Sequence, residues 1–591
     1  MRVVFILFFL VCSVTIAQGD IIAKEYFKNG KYEKALVEYK KLYARAPSNI
    51  TYINQIISTY QQLEQYEEAE IFILKLIKRI NYPAFYVELG YNFELKNNKE
   101  QAQLNYQKGL VSIDDKVTNV FTVARSFQNH SLLEEAALAY EKAMVLKPDF
   151  NFNVQLAQIY GEQGNIDKMF NSYLNYAEFN PAALKDVKRA INDFISEDAY
   201  SENNVLLRKN LLKRLQEEPN TLWNATLSWL FIQQKDFKKA FIQEKAIFNR
   251  EQGNLDRVLE LASIAANEEA PNIAKEIYGY VIETAQDAET KLKAHFSLLQ
   301  LNIASSDEND YGSIKTQYLE LLNTFGTTPE TLELQLSYAH FLAFYMNETD
   351  EAISFLENLM EAPLSRLEKA QVKLELGDVL VLKEAFNKAL IYYTQIQRNL
   401  KNSTISQEAR FKVAKASYYK GDFKWAESQL KILKASTSQL IANDALDLKL
   451  LISDNKYEDS LQTALKLYAK ADLLSYQNRN DEAIAILSKI LEAHKTEPII
   501  AQTLYKQAQL FELKSQYDQA LVNYEAIIEN YRDGVLIDDA YFHLGIIYEK
   551  YLNMPEKAKA VYEKIVFNHA DSIYFIEARK RFRKLRGDAI N

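Results

Sequence analysis

Small and bulky positions alternate along this chain with a long period superimposed on a helical one. Alanines fall at 35, 69, 102 and 136, within Lys34-Ala35-Leu36, Glu68-Ala69-Glu70, Gln101-Ala102-Gln103 and Glu135-Ala136-Ala137, so successive spacings are 34, 33 and 34. Four residues after each comes a bulky side chain, Tyr39, Ile73, Tyr106 or Tyr140, which places the small and the large group on one helical face. Twelve residues before each alanine lies another small or apolar position, Ala23, Ile57, Gly90 or Ala124, and three residues beyond the last three stand Tyr60, Phe93 and Phe127. Pro47 and Pro148 follow their alanines by twelve residues, where a proline ends a helix. The pattern predicts pairs of helices that cross where the small residues sit, with the large ones filling the flanking gaps.

The period continues through Ala157, Tyr160, Tyr173 and Pro181, with Met169 in place of the expected alanine. It blurs between Ala182 and Pro219 and recovers at Ser228, Phe231 and Ala240, then at Ala262, Ala274 and Tyr278. From Ile282 to Thr328 helical periodicity persists without a clear register, and Ser305-Ser306-Asp307-Glu308-Asn309-Asp310 reads as a loop. Alanines return at 352, 389 and 426, spaced by 37, with Gly377 and Ala414 on the preceding helices. Additional helices interrupt the count from Gln439 to Asn478, and Ala471 near the end of that stretch, then Ala483, Ala508, Phe511, Ala520 and Tyr524, resume it. A last unit carries Gly545, Tyr548, Ala558 and Tyr562, and a basic amphipathic helix, Phe575 to Leu585, is suited to cap the stack.

This succession closely resembles the tetratricopeptide repeat, most fully in Thr118 to Pro148 through Ala124, Phe127, Ala136, Tyr140, Ala143 and Pro148. The resemblance implies an all-α, right-handed superhelical solenoid of antiparallel helix pairs with a concave groove for a protein or peptide. The last units, with Asn530-Tyr531-Arg532-Asp533 and Asn568-His569-Ala570-Asp571-Ser572 before each new helix, look like repeats of gram-negative envelope proteins. Examples are the lipoprotein of the outer-membrane barrel-assembly machine and the Tol-Pal-associated coordinator of cell-wall synthesis. The expected organisation is a signal peptide over 1–17, an N-terminal repeat array over 18–181, a degenerate helical region over 182–334 and repeat-like pairs over 335–438. An irregular helical insertion over 439–478 and C-terminal repeats with a basic cap over 479–591 complete it.

Composition narrows the class. With 15 Gly and 10 Pro in 591 residues the chain has few turn formers, which favours helix nearly throughout. A net charge of −9 with interspersed signs argues against a nucleic-acid surface. Arg2 precedes an apolar run from Val3 to Val11, and Thr15-Ile16-Ala17-Gln18 follows, which reads as a secretory signal cleaved after Ala17. The run is shorter than the roughly 20 residues a spanning helix needs, so no transmembrane segment is expected after cleavage. Cys12, the only cysteine, sits in that run. A mature chain from Gln18 therefore has no thiol for disulfides, Cys-zinc sites or catalysis.

Chemistry is sparse. The histidines at 130, 295, 340, 494, 543 and 569 are scattered singly without metal-ligand spacing, and read as turn or helix-surface residues. No nucleophile elbow, phosphate loop or dinucleotide fingerprint is present, and Gly161 and Gly164 are assigned to positive-φ needs at a helix end. Acidic pairs such as Asp538-Asp539 and Glu67-Glu68 are assigned to helix N-termini. No enzymatic activity, cofactor or metal is expected.

In such a superhelix the first helix of each pair lines the groove. That mapping selects Asn54, Ser58 and Gln61, then Val87, Tyr91 and Glu94, then Phe121, Arg125 and Gln128, then Asn151, Val154 and Gln158. The candidate partner-binding residues are Asn54, Ser58, Tyr91, Phe121, Arg125, Gln128 and Gln158, a neutral, amide-rich and partly aromatic lining. The expected function is a non-catalytic interaction scaffold of the cell envelope, in the periplasm or at the outer membrane with peripheral association there. It would serve outer-membrane assembly, secretion or cell-wall coordination by holding a protein or peptide. A carbohydrate- or peptidoglycan-binding helical module is the alternative.

Overall fold

The computed structural model describes residues 19–433, 438–456 and 462–588. The expected signal peptide, 1–17, and its Cys12 lie outside the described residues. Those described are helical with short turns, in two compact units that divide between Gln234 and Lys235.

Unit 1 runs through α1 (19–28), α2 (Tyr32–Arg45), α3 (Ile50–Gln62), α4 (Tyr66–Arg79), α5 (Ala84–Leu95), α6 (Lys99–Asp115) and α7 (Val120–Asn129). It continues with α8 (Leu133–Leu146), α9 (Asn153–Glu162), α10 (Ile166–Phe179), α11 (Leu184–Asn192), α12 (Glu202–Glu217) and α13 (Thr221–Gln233). The small residues of the sequence pattern are where helices meet: Ala23, Ala35, Ala69, Ala124, Ala136 and Ala157 are fully buried. Gly90 takes the same place on α5, where a Cβ would fall 2.5 Å from the Tyr106 ring of α6. Gly161 turns out to serve close approach rather than a turn. It sits inside α9, where a Cβ would lie 3.1 Å from the sulfur of Met169, the residue that replaces the repeat's alanine. Gly164 alone of the two has positive φ, +71°.

The turn within each pair repeats one geometry. A left-handed residue occurs at Gly30, Glu64, Asn97, Ser131 and Gly164. The next residue's N–H closes on an aromatic residue's carbonyl five back: Lys31 on Tyr26, Gln65 on Tyr60, Asn98 on Phe93, Leu132 on Phe127 and Asn165 on Tyr160, at 2.8–2.9 Å. This six-to-one closure satisfies carbonyls the helix end would leave open.

Unit 2 comprises α14 (Phe237–Glu251), α15 (Asp256–Asn267), α16 (Pro271–Thr284), α17 (Ala288–Ala304), α18 (Tyr311–Phe325), α19 (Leu332–Phe344), α20 (Thr349–Met360), α21 (Arg366–Leu382), α22 (Phe386–Asn399) and α23 (Thr404–Tyr419). It ends with α24 (Phe423–Leu433), α25 (Gln439–Asp454), α26 (Thr463–Tyr476), α27 (Asn480–Ala493), α28 (Ile500–Leu513), α29 (Tyr517–Asn530), α30 (Ile537–Ile546), α31 (Pro555–Asn568) and α32 (Phe575–Arg586). The expected 305–310 loop separates α17 from α18. After α30 the chain passes through a π turn, Ile547–Tyr551, which absorbs one extra residue. Tyr562 can thereby still lie over Gly545, as Tyr106 does over Gly90. No helix among the described residues is long and apolar enough to cross a membrane.

Within unit 2 the chain also meets itself across non-neighbouring pairs. The end of α26 binds the ends of α21 and α19: Gln477 Nε2 donates to the Leu382 carbonyl at 2.9 Å and Asn478 Nδ2 to that of Phe344 at 3.1 Å. Lys470 pairs with Glu384 at 2.9 Å, and Lys550 reaches Glu269 at 3.3 Å.

Candidate functional site

The face predicted from sequence is carried by α3, α5, α7 and α9. Its frame is a polar clasp between α5 and α7. The buried Glu88 carboxylate accepts the Ser126 hydroxyl at 2.6 Å and lies 2.9 Å from His130 Nε2, and the His130 ring stacks on Tyr91 at 3.9 Å. His130, read from sequence as a bland surface residue, is thus what fixes Tyr91. Phe121 remains 54% exposed while its inner edge packs on Phe150 and Phe152 at 5.9 and 5.5 Å. Arg125, one turn further along α7, is exposed. Gln128 accepts the hydroxyl of Tyr140 at 3.1 Å. Burial raises the Tyr82 phenol, with the Glu88 charge adding and Arg125 opposing.

The other predicted residues are distributed. Asn54 and Ser58 are half-buried on α3, and Gln158 is exposed on α9. Gln61 is only 6% exposed, and its Nε2, like Asn54 Oδ1, has no hydrogen-bond partner among the described residues. Val87 is fully buried and does not line the surface, because it faces Gly109 of α6. What the arrangement offers is amides, the exposed Arg125 guanidinium and rings held by packing, which suits backbone and aromatic contacts to a chain laid across the helices.

Two further constellations were not singled out from sequence. In the middle of unit 2, Asp378 of α21 accepts the Tyr393 hydroxyl and the Lys412 ammonium, each at 2.6 Å, and His340 lies 2.9 Å from Glu375. Tyr476 at the end of α26 packs on Phe344 and Tyr419 at 5.4 and 6.0 Å. Near the C-terminus, His543 contacts Glu512 at 3.0 Å and Tyr505 at 3.3 Å, and Asp539 accepts the Tyr574 hydroxyl at 3.0 Å. Asp539 therefore does more than favour a helix dipole. Burial pushes its carboxyl above the usual range. The signal that could have located both is a tyrosine four after the repeat alanine with an acid 12 to 15 residues earlier, as in Tyr106–Glu94, Tyr524–Glu512, Tyr562–Glu549 and Tyr393–Asp378. No group of three or more His, Cys, Asp or Glu able to hold a metal occurs among the described residues.

Comparison with known proteins agrees with this architecture at the C-terminal end. The tetratricopeptide repeat family matches residues 468–535 and 539–572, and the all-α repeat fold follows. Among solved structures, that of Naa15/Naa10 bound to HypK-THB aligns at 12% identity over 97% of this chain and 100% of that one, with a TM-score of 0.29. The crystal structure of the APC/C hetero-tetramer Cut9-Hcn1 aligns at 12% identity over 88% and 94%, with a TM-score of 0.26. A search of curated proteins finds no match.

Proposed function

We propose that this chain is a non-catalytic scaffold that holds a protein or peptide along the α3–α5–α7–α9 face of its first unit, and that it works in a bacterial envelope after export. Tetratricopeptide repeats generally bind protein partners. The observation that carries the reading is Phe121, exposed on one side and braced by Phe150 and Phe152 on the other, one turn from the exposed Arg125. An exposed ring and a guanidinium on a rigid frame have the chemistry of interface anchors. Export rests on Arg2, the apolar run Val3 to Val11 and Ala17. Peripheral association with the outer membrane, in assembly or secretion, is the role that fits it.

The test is capture from an envelope extract by tagged chains spanning 18–591: unaltered, Phe121→Ala/Arg125→Ala, and Phe567→Ala as a control exposed in unit 2. A protein held by the first and third chains and lost by the second supports the reading. One retained by all three places the contact elsewhere, and no specific capture sinks the scaffold. Recovery of the chain in cytosol with residues 1–17 intact would sink the export component.

A further inference from the structure

The fold-back of α26 helps to enclose a chamber within unit 2. Tyr476 closes one side of a cavity of about 460 Å³ whose other walls come from α21, α22, α23 and the start of α25. It adjoins a groove of about 560 Å³ between α19, α21 and α23, and Glu408 lines both. Four rings, Tyr393, Phe411, Tyr419 and Tyr476, face the cavity.

Its charges are unbalanced toward acid. Asp378, Glu408 and Asp444 line it against Lys412 and Lys415, while Glu375 of the adjoining groove lies 2.9 Å from His340. Lys412 is committed to Asp378 at 2.6 Å, and Lys415 lies over the Tyr419 ring at 5.8 Å. Glu408 and Asp444 have no ion pair among the described residues. Burial raises the Glu408 carboxyl above its usual range against the opposing charge of Lys412, and Asp378 adds to the rise. Carboxylates and aromatic faces around a partly dry space attract a cation with an apolar stem.

We propose that this cavity receives the cationic end of an arginine or lysine side chain from an extended partner segment, with Glu408 as counter-ion and Tyr419 and Tyr476 flanking the stem. The site lies in unit 2 and uses none of the residues of the face proposed on unit 1. The neighbouring groove, with Leu336, Leu374 and Ile405 in its lining, offers apolar contact to the residues beside that side chain.

The probe is arginine amide, titrated into the full chain and followed by saturation-transfer NMR, with citrulline amide and glutamate amide alongside. Saturable binding of arginine amide is expected, with citrulline and glutamate amides failing to saturate. Glu408→Gln should weaken it about tenfold, the loss of one partly desolvated charge. Asp444→Asn, on an exposed side chain that cannot affect folding much, should weaken it in the same direction and covers the case in which Glu408→Gln fails to fold. Phe121→Ala/Arg125→Ala should leave it unchanged, so failure here and failure of the unit 1 reading are separable. The proposal is overturned by absence of saturable binding, by equal binding of citrulline amide, by preference for glutamate amide, or by indifference of the folded Glu408→Gln chain.

Discussion

Tyr106 packs on the backbone of Gly90, so close that a Cβ there would stand 2.5 Å from two of its ring carbons. The ring also meets Phe127 of the next pair edge-on at 5.5 Å, and its hydroxyl donates to Glu94 at 2.5 Å. One ring thus joins the two helices of a pair and the pair to its successor.

Gly90→Ala should therefore destabilise unit 1 by about 2 kcal/mol, the scale of an overpacked core site. Gly279→Ala is the matched control. Gly279 is also helical, but nothing lies within 4 Å of the added Cβ, so alanine should stabilise by about 0.5–1 kcal/mol. Denaturation followed by circular dichroism measures both; equal signs for the two would remove the Gly90–Tyr106 argument.

Ser131 holds φ at +57° in the turn between α7 and α8. Left-handed backbone is strained for a residue with a Cβ, so Ser131→Gly should gain about 0.5–1 kcal/mol after glycine's larger unfolded-state entropy is counted. A loss of stability would show that the serine side chain matters more than its backbone angle.

Glu244, 4% exposed at its side chain, is met by both Nε and a terminal nitrogen of Arg257 at 2.7 Å. Removing the arginine strands a buried carboxylate. Arg257→Ala should cost about 2 kcal/mol, less than a fully buried pair because the guanidinium is half exposed. Adding Glu244→Leu should restore most of it. A double variant no more stable than the single one would mean that the pair is not what the substitution disturbs.

Asp539 carries a pH signature. Its folded-state pKa is raised above the ordinary 3.8, chiefly by burial, although the Tyr574 hydroxyl opposes the rise. The folded chain then holds the proton more tightly than the unfolded one. This contribution is greatest below 3.8 and falls as pH rises through the folded value. Melting curves between about pH 3 and 7 should show Asp539→Asn lacking that decline. Identical pH slopes in variant and native chains would count against the burial argument.

The sequence carried the fold where small residues mark the crossings. Ala35, Ala69, Ala102 and Ala136 are visible as letters and sit at the crossings as contacts. It was illegible between 282 and 328 because larger residues do the same work. Ile314 and Tyr318, four apart and buried on α18, take the places of alanine and tyrosine, and no single letter announces them. Phe121 and Arg125 could be placed on a face by counting. The cavity around Glu408 could not, because it depends on α26 returning to α21 and α19 across 95 and 134 residues of chain, a relation without a local signature. The role of His130 was hidden likewise, since its partner Glu88 stands 42 residues away.

That return of α26 has a mechanical meaning. An array whose pairs touch only their neighbours can peel from either end, one pair at a time. The ties from Gln477 and Asn478 to the carbonyls of Leu382 and Phe344 join pairs that the chain visits far apart, so a load applied at the chain ends does not reach the helices enclosed between them until those bonds break. Pulled from its ends, unit 2 should fray at its edges and then yield in one large step, with the stretch from α19 to α26 coming apart as a single event.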